Sequence, residues 1–394
     1  MARSQRLTCL AALACATLLA LAGCSLEPVR LGAVLPTSGA YSTYGVSLER
    51  GASVAAEVVN REGGVQGRRL EILLRDSRSD PQRAAEEFGD LVKKEKVAAV
   101  VGGGTSAEAL AMVPVAQKEG RVLLSPSASS PDLTPAGEWV FRNWPSDEIE
   151  ARTMADFSAF TLHVTEIAIV EEKSAYARGI VDAFVSQFRK DGRSVDRVVL
   201  PPGDVDYRAA AQTVRALQPR AQALYLVGFG ERLVLLHHAI ASSGLALPVL
   251  SVSALSDSDI LKRNASDLEG AVFARPSYDP DSDAPAFQEF LAEYTSRYRQ
   301  EPDLYAAHAY DSVRLLAEAM AMEGIAPDEI RRGLLKIKNF AGAAGSVTFD
   351  ANGDIAQSFE LCVIQGGKAV PLSRADDSVL AAIQKRVDRL RFGS

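Results

Sequence analysis

The chain has 394 residues, of which 47% are hydrophobic and 24% charged, a composition typical of a folded globular protein. Its formal net charge of −7 argues against nucleic acid as a partner. Four histidines and four cysteines supply little material for a metal centre or for general-base catalysis.

The N-terminal segment has the features of a secretory signal peptide. Arg3 and Arg6 precede an apolar stretch from Leu7 to Leu21, and the small residues Ala22 and Gly23 follow. This pattern is typical of a cleaved leader, so we expect residues 1–23 to be removed. An uncleaved anchor and an ordinary secretory signal are the alternatives, and each of them also predicts export.

The leader ends in Leu-Ala-Gly-Cys, which resembles a bacterial lipobox. We therefore expect Cys24 to receive lipid and residues 24–28 to form a linker. No later apolar run approaches the roughly 20 residues of a membrane span, so the lipid alone is expected to attach the protein to the membrane. The mature chain would carry 41 basic and 50 acidic residues, a net charge of −9. Its one other cysteine, Cys362, lies in an alternating run and is predicted to be a buried thiol without a disulfide.

From Val29 onward, segments typical of strands and helices alternate, which predicts parallel sheets covered by helices. Asp80 before Pro81 has the pattern of a helix N-cap, and Gly63-Gly64 ends the preceding helix. The first predicted series consists of strand Arg30–Leu35, helix Gly45–Asn60, strand Leu70–Arg75, helix Pro81–Glu95 and strand Val97–Val101.

Two polar loops follow buried strands of this series. Residues 102–106, Gly-Gly-Gly-Thr-Ser, come after the run Val97–Val101, and residues 125–130, Ser-Pro-Ser-Ala-Ser-Ser, come after Val122–Leu124. Ligands of open α/β sheets bind beyond the carboxyl ends of the strands, so these loops predict a binding site for a small polar solute. Thr105 to Glu108 has the sequence of a capping box, whose helix start offers N–H groups to a carboxylate. The simpler interpretation is that Thr105 caps its own helix.

A second series of the same kind begins after Asp147 and implies a second lobe. Helices Ala284–Arg299 and Leu304–Met322 are predicted to rejoin the first lobe. The tail from Asp376 to Arg391 has the spacing of an amphipathic helix, which favours packing against its own lobe over a contact with a membrane or a partner. The predicted strands of this part are Ile167–Val170, Ser194–Leu200, Ala223–Val227, Pro248–Val252, and a hairpin of Ser346–Phe349 with Phe359–Ile364 around Asp350–Asp354.

A series of short motifs runs through most of the chain. They are Leu31–Gly39 with Tyr44-Gly45, Asn60–Gly67, Asp76 with Asp80-Pro81, Val100–Gly102, Leu124–Pro126, Phe141-Arg142 and Tyr310-Asp311. In this order, residues 29 to about 372 resemble type I periplasmic binding proteins of the leucine/isoleucine/valine-binding family. This family comprises substrate receptors of ABC importers and also amide-sensing regulators.

The resemblance implies that the ligand binds between the lobes, with a carboxylate at the helix start after the third strand. Ser106 and Thr105 would hold this carboxylate. Ser127, Ala128 and Ser129 would line the second loop through a carbonyl and a hydroxyl group.

The remaining site residues implied by the resemblance come from elsewhere along the chain. Tyr44 would close the first-lobe side, Tyr176 would reach across from the second lobe, and Phe229 would form an apolar wall. Where amino-acid binders present an acid to the ligand's ammonium, this chain has Ser253. A buried ammonium without a counter-charge is costly, so either Asp257 or Glu231 substitutes, or the ligand is an acid or amide without an ammonium.

Other motifs favour structural roles. His237 and His238 are adjacent on a predicted helix and therefore point in different directions, which does not suit a metal site. The segment Asp350–Asp354 fits a turn better than a calcium loop. The side chains of Glu171 and Glu172 are expected to be solvated. The sequence contains no phosphate-binding loop, no Gly-x-Ser-x-Gly and no His-Glu-x-x-His motif, so we expect no enzyme, no cofactor and no metal site.

The predicted fold is α/β, with two Rossmann-like lobes whose parallel sheets are joined by a three-strand hinge near Arg142–Pro145, Ala274–Ser277 and Lys338–Gly342. Residues 29–143 with 277–338 would form lobe 1, residues 144–276 with 339–372 lobe 2, and residues 373–394 a C-terminal tail. The predicted function is an exported, lipid-anchored receptor that delivers a small solute to an ABC transporter permease. A sensing or envelope-assembly lipoprotein that acts through a protein partner is the alternative.

Overall fold

A computed structural model describes residues 26–392 of the chain, except residues 202, 204, 218 and 219. The predicted signal peptide and the predicted lipidation of Cys24 lie outside the described residues, as do the last two residues of the tail. Among the helices of the described part, none combines the length and the apolar character needed to cross a membrane.

The first lobe is built on a parallel sheet of five strands in the order β2-β1-β3-β4-β5. The chain moves outward from β1 to β2 and then crosses to β3 on the other side of β1, so the winding direction reverses between β1 and β3. The elements are β1 (Val29–Leu35), α1 (Ser42–Arg61), β2 (Leu70–Asp76), α2 (Pro81–Lys93), β3 (Ala99–Gly102), α3 (Ser106–Glu119), β4 (Leu123–Ser125) and β5 (Val140–Arg142).

The second lobe repeats this order, as the second series of strands predicts. Its sheet has seven strands in the order β14-β13-β10-β9-β8-β6-β7, of which β13 (Phe359–Gln365) and β14 (Lys368–Pro371) come last in the chain, and the winding reverses between β6 and β8. The elements up to the return into the first lobe are α4 (Asp147–Asp156), β6 (Glu166–Glu172), α5 (Ala175–Phe188), β7 (Ser194–Leu200), α6 (Tyr207–Leu217), β8 (Ala223–Val227), α7 (Gly230–Ser242), β9 (Val249–Ser251), α8 (Ser258–Arg263), α9 (Ala265–Leu268) and β10 (Val272–Pro276).

After β10 the chain returns to the first lobe, where α11 packs along α1. The two helix backbones approach closely, because a Cβ atom on Gly51 would lie 2.0 Å from the carbonyl oxygen of Ala306. The returning helices are α10 (Pro285–Tyr298), α11 (Leu304–Glu323) and α12 (Pro327–Lys336). Both long helices that the sequence predicts in this region are therefore present.

The predicted hairpin of Ser346–Phe349 with Phe359–Ile364 is wrong. β12 (Gly345–Val347) pairs with β11 (Phe340–Gly342), whereas β13 (Phe359–Gln365) pairs antiparallel with β10 and with β14 (Lys368–Pro371). Phe349 packs edge-on against Phe141 of β5, so this segment stays with the first lobe and the chain crosses to the second lobe later than the predicted Lys338–Gly342.

The turn between these strands and the tail both behave as the sequence predicts. The Asp350 carboxylate accepts the N–H groups of Asn352 and Asp354 within the turn. The tail forms α13 (Asp377–Phe392), which buries Val387 and donates a hydrogen bond from Gln384 to the carbonyl of Leu162. The amphipathic helix therefore packs against its own lobe.

Candidate functional site

The two polar loops of the first lobe meet at the carboxyl edge of its sheet. Ser125 donates its hydroxyl to the carbonyl of Gly103 (2.9 Å), and Ser127 donates its hydroxyl to the carbonyl of Gly104 (3.0 Å). Gly103 has a φ of +78°, and a Cβ atom there would lie 2.6 Å from the Cβ of Ala109. Glycine at this position therefore allows β3 to turn sharply into α3.

The start of α3 has the predicted capping box. The Thr105 hydroxyl accepts the N–H of Glu108, and the Glu108 carboxylate accepts the N–H of Thr105 (3.1 Å). Burial raises the pKa of Glu108, which also accepts the Ser77 hydroxyl. Thr105 therefore caps its own helix. The N–H groups next to this cap belong to Ser106 and Ala107, and both residues line a cavity.

This cavity lies between the two points at which the sheets reverse their winding. It has a volume of about 50 Å³. Its first-lobe wall follows β1, β3 and β4, and its second-lobe wall follows β6 and β8. The first wall consists of Tyr41, Gly104, Thr105, Ser106, Ala107, Ser127 and Ser129, and the second of Glu172, Ser174, Tyr176 and Phe229.

Six of the residues predicted for the site lie in this wall, and three do not. Tyr44, Ala128 and Ser253 lie outside the lining. Ala128 is buried behind it, where it packs in a small cluster with Ala109 and other apolar residues of α3 and β5. Sequence reasoning missed Tyr41, Ala107, Glu172 and Ser174 as lining residues. Tyr41 is the residue before α1, and Glu172 is the last residue of β6.

Phe229 forms the centre of an aromatic cluster that joins the lobes. Its ring stacks on Tyr44 at 4.1 Å between centroids and meets Tyr41 and Tyr176 edge-on, each at 5.4 Å. The Tyr44 hydroxyl donates to the carbonyl of Ala254 (3.1 Å) and accepts the N–H of Gly230 (3.2 Å). Tyr44 therefore connects α1 of the first lobe to two segments of the second lobe.

Glu172 is buried, so the expectation that Glu171-Glu172 are solvated is wrong. The Glu172 carboxylate accepts the N–H of Phe229 (3.1 Å) and the Nε–H of Arg232 (2.7 Å), while Glu171 pairs with Arg197. Burial raises the pKa of Glu172 and outweighs the Arg232 guanidinium, which lowers it. The Glu172 side chain thus positions Phe229 against the cavity.

Ser253 pairs with an acid that the sequence did not bring to attention. Its N–H and hydroxyl donate to the two oxygens of Glu150, at 2.8 and 2.7 Å. Neither acid considered as a substitute lines the cavity: Glu231 is exposed, and Asp257 is buried and accepts, among its contacts, the N–H of Ile260 (2.9 Å). Burial, together with the neighbouring Asp147, raises the pKa of Glu150 well above its usual range.

Asp147 begins α4 and is fully buried. Its N–H donates to the carbonyl of Ser129 (2.9 Å), but neither carboxylate oxygen makes a hydrogen bond of ordinary geometry to a described residue. Burial raises the pKa of Asp147 to about 7, although the Ser129 hydroxyl and the Arg142 guanidinium lower it. The only sequence signal for this residue was its place after Ser146, the N-cap of α4.

The two adjacent histidines have separate surroundings. His237 is buried and shares a hydrogen bond with Ser251 (3.0 Å), and burial lowers its pKa to about 3. His238 is exposed and contacts Asp267 (2.8 Å). Cys362 is buried in β13, and burial raises the pKa of its thiol to about 12. These side chains therefore have structural roles in the second lobe.

Relatives of this chain are found over almost its whole length. Residues 28–368 match the family model described as periplasmic binding protein. A Brucella melitensis protein named Leu/Ile/Val-binding protein homolog 3 is 25% identical over 373 residues, which cover 93% of this chain and 100% of the relative. A Rhizobium johnstonii protein named Leu/Ile/Val-binding protein BraC3 is 26% identical over 350 residues, covering 87% of this chain and 93% of the relative.

Solved structures show the same architecture. The leucine-binding protein LivK of Thermotoga maritima superimposes with a TM-score of 0.81 at 25% identity, covering 86% of this chain and 97% of that one. LivJ of Streptococcus pneumoniae, a branched-chain amino acid transporter substrate-binding protein solved with isoleucine, gives a TM-score of 0.80 at 26% identity and covers 87% of this chain and 97% of that one. The likeness extends over both lobes.

Proposed function

Because the chain belongs to the periplasmic binding protein family, whose members are extracytoplasmic solute receptors and not enzymes, we propose that it captures a small solute in the cleft and delivers it to an ABC importer. The solute carries a carboxylate or an amide, as an amino acid or a related compound does. The observation that carries this proposal is the meeting of the two polar loops with Phe229 at one cavity between the lobes.

The first-lobe wall suits a carboxylate or an amide oxygen. The N–H groups of Ser106 and Ala107 lie at the positive end of α3, and Ser106, Ser127 and Ser129 line the same cavity, although the Ser127 hydroxyl already donates to the carbonyl of Gly104. Backbone N–H groups at a helix start, together with hydroxyl donors, stabilise a negative oxygen without a basic side chain. The second-lobe wall adds the apolar ring of Phe229 on the opposite side.

Binding is coupled to closure of the lobes. A cavity of about 50 Å³ is smaller than ordinary ligand pockets, so a solute of amino-acid size requires the two walls of the cavity to separate further. The solute shifts the lobes toward the closed form only because it contacts both walls and therefore binds that form better. Closure then creates the surface that the permease recognises, and lipid on Cys24 holds the receptor at the membrane.

A thermal-shift screen tests this function on the chain without its first 25 residues. The panel contains branched-chain and other amino acids, aromatic carboxylates, short amides and dipeptides. A solute at one hundred times its dissociation constant is expected to stabilise the fold by about 2.7 kcal/mol, which raises the unfolding temperature measurably. If the folded protein responds to no member of the panel, the solute-receptor function is contradicted, and a role through a protein partner is favoured instead.

A further inference from the structure

The outer side of α13 forms a cationic surface. Lys385, Arg386 and Arg389 are exposed, and Arg389 lies four and three positions after the other two, so the three side chains share one side of the helix. The opposite side buries Val387 against the second lobe. We call Lys385, Arg386 and Arg389 the basic face. The family model ends at residue 368, so this helix lies outside the part of the chain that the model matches.

No acid neutralises the basic face within the described part of the chain. Its three side chains form no ion pair there, and the acid beside them, Asp388, accepts a hydrogen bond from Gln384 instead. A helix dipole attracts cations only within the last turn, whereas Lys385 lies about two turns before the end of α13 at Phe392. The dipole therefore does not account for the whole of this charge.

Two exposed phenylalanines accompany the basic face. Phe392 is 69% exposed, and Phe160 is 59% exposed. A guanidinium lies over each ring, that of Arg391 at 5.1 Å from the Phe392 centroid and that of Arg193 at 5.0 Å from the Phe160 centroid. An exposed ring next to a basic group is typical of a segment that lies in the interface of a membrane, where the ring reaches the acyl chains and the cation stays among the headgroups.

The basic face and both phenylalanines lie at the outer end of the second lobe. Arg391 donates a hydrogen bond to the carbonyl of His163, so α13 packs on the turn that also carries Phe160. This turn precedes β6, which begins at Glu166, whereas the cleft lies at the carboxyl ends of the strands. The cationic surface therefore faces away from the cleft and takes no part in contacts with the solute.

We propose that the outer end of the second lobe binds an anionic phospholipid bilayer, with the basic face against the phosphate groups and with Phe160 and Phe392 at the boundary of the acyl chains. Charge complementarity favours this occupant, because each basic residue near an anionic membrane strengthens binding. The exposed apolar groups are two separate rings, which suit the headgroup region, whereas an interface with a folded protein contains an apolar core.

Docking of this end fixes the orientation of the receptor. β1 begins at Val29 at the amino edge of the first sheet, so the chain enters the first lobe at the opposite end of the molecule. With lipid on Cys24, both outer ends attach to one membrane, and the two lobes lie side by side above it. A permease in that membrane then reaches both lobes at once. This orientation rests on the proposed lipidation and the proposed importer, whereas the docking surface itself does not.

Co-sedimentation with vesicles tests the proposal. The chain from residue 26 onward, which contains both lobes and α13 but no lipid, is mixed with vesicles of phosphatidylcholine, either alone or with about one third phosphatidylglycerol. In low salt, the protein is expected to bind the anionic vesicles at least about tenfold more tightly than the neutral ones. This preference is expected to disappear at about 0.5 M salt, because salt screens the charges.

A double variant tests the basic face directly. Lys385→Gln with Arg389→Gln removes two charges and keeps good helix formers, so it is expected to weaken binding to anionic vesicles by about 10- to 30-fold, at about fivefold per charge. The control is Arg208→Gln with Arg215→Gln, at two exposed arginines on α6 of the same lobe. The control changes the net charge equally and is expected to change binding by less than about twofold, since these arginines lie on another helix. Melting curves establish that both double variants fold.

A tryptophan probe tests the position of the rings. In Phe392→Trp, anionic vesicles are expected to shift the tryptophan emission to shorter wavelength, because the indole leaves water, and neutral vesicles are expected to leave it unchanged. Leu235→Trp, at a 41% exposed leucine on α7, is the control and is expected to show no shift with either kind of vesicle. A shift of equal size in Phe392→Trp and Leu235→Trp contradicts insertion at the outer end of the lobe.

Other outcomes also overturn the docking surface. Absence of binding to the anionic vesicles in low salt does so, as does equal binding to both kinds of vesicle. Equal loss in the two double variants shows that only the overall charge acts. If vesicles are not bound, binding of soluble polyglutamate assigns the basic face to an acidic protein, and self-association assigns it to a second copy of the chain. The solute-receptor function stands in each case, because the thermal-shift screen measures it without a membrane.

Discussion

Ser106 combines a structural contact with a place in the cavity wall. Its hydroxyl accepts the N–H of Ser130 (3.2 Å), and its own backbone lies at the start of α3. The Ser106→Ala substitution is expected to weaken a carboxylate-bearing solute by about 1 to 3 kcal/mol, since a hydrogen bond to a charged group is lost. Calorimetry with the solute found in the screen measures this change.

The control for Ser106→Ala is Ser158→Ala. Ser158 is equally buried, and its hydroxyl donates to the carbonyl of Met154 far from the cavity (2.6 Å). This variant is expected to lose stability but not affinity. Unchanged affinity in Ser106→Ala would exclude the Ser106 hydroxyl from the binding site.

At the residue scale, the sequence predicted local contacts and missed distant ones. The capping box of Thr105 and Glu108 is visible in four consecutive residues, because its hydrogen bonds connect neighbours in the chain. The partner of Ser253 is Glu150, 103 positions earlier, and no local pattern relates the two. The sequence therefore predicted that an acid is absent at Ser253, because it did not show that the fold places Glu150 next to this residue.

At the element scale, the packing of α1 on α11 depends on a glycine. Gly51→Ala would place a Cβ atom 2.0 Å from the carbonyl oxygen of Ala306, and a backbone atom in a helix cannot move away cheaply. We expect Gly51→Ala to lower the free energy of unfolding by about 1 to 3 kcal/mol or more. Urea denaturation of the purified variant measures this loss.

Gly89 supplies the matched control, because it is also a glycine inside a helix. A Cβ atom there would meet only Val115, at 3.8 Å. Alanine favours helix over glycine, so Gly89→Ala is expected to raise the free energy of unfolding by up to about 1 kcal/mol. Equal effects of the two substitutions would contradict a specific close approach of α1 and α11.

Asp311 on α11 fixes the turn between β11 and β12. Its two oxygens accept the N–H groups of Ala343 (2.7 Å) and Ala344 (2.8 Å), and burial raises its pKa to about 7. A carboxyl group whose pKa is higher in the folded state stabilises the fold below its unfolded pKa, and this contribution is lost as the pH rises through about 7. Its share between pH 4 and pH 8 is up to about 4 kcal/mol, at about 1.4 kcal/mol per pH unit.

Asp311→Asn tests this contribution through the slope of stability against pH. Urea denaturation at pH 4, 6 and 8 is expected to give a flatter slope for the variant than for the unmodified protein. Absolute stability is not the criterion, because the amide replaces one acceptor oxygen by a donor. Parallel slopes would show that Asp311 does not titrate in this range.

The order of the βα units was predictable because helices and strands alternate with distinct hydrophobic periods. The partners of the last strands were not predictable from the same information. The alternation in Phe359–Ile364 predicts a strand, but it does not say that β10 and the short β14 flank this strand. β14 is four residues long and follows a Gly-Gly turn, so its own pattern is too brief to indicate a strand.

At the scale of the whole molecule, Tyr44 joins the two lobes without lining the cavity. Its hydroxyl joins α1 to the carbonyl of Ala254 and the N–H of Gly230, which both belong to the second lobe. The sequence resemblance placed Tyr44 on the closing side of the cleft, but its geometry makes it a contact between lobes. A substitution of Tyr44 therefore tests the effect of lobe closure on binding without removing a direct contact with the solute.

Tyr44→Phe keeps the ring that stacks on Phe229 at 4.1 Å and removes only the hydroxyl group. The closed form loses about 1 to 3 kcal/mol, because two buried polar groups lose their partner. The lobes are therefore expected to open, which increases the radius of gyration in small-angle scattering, and the affinity for the screened solute is expected to fall by about 10- to 100-fold.

The control is Tyr298→Phe, at a half-buried tyrosine on α10 of the first lobe, and it is expected to change neither the radius of gyration nor the affinity. The Tyr44 hydroxyl does not line the cavity, so it can affect the solute only by shifting the balance between open and closed lobes. If Tyr44→Phe changes neither the radius of gyration nor the affinity, other contacts supply the free energy of closure.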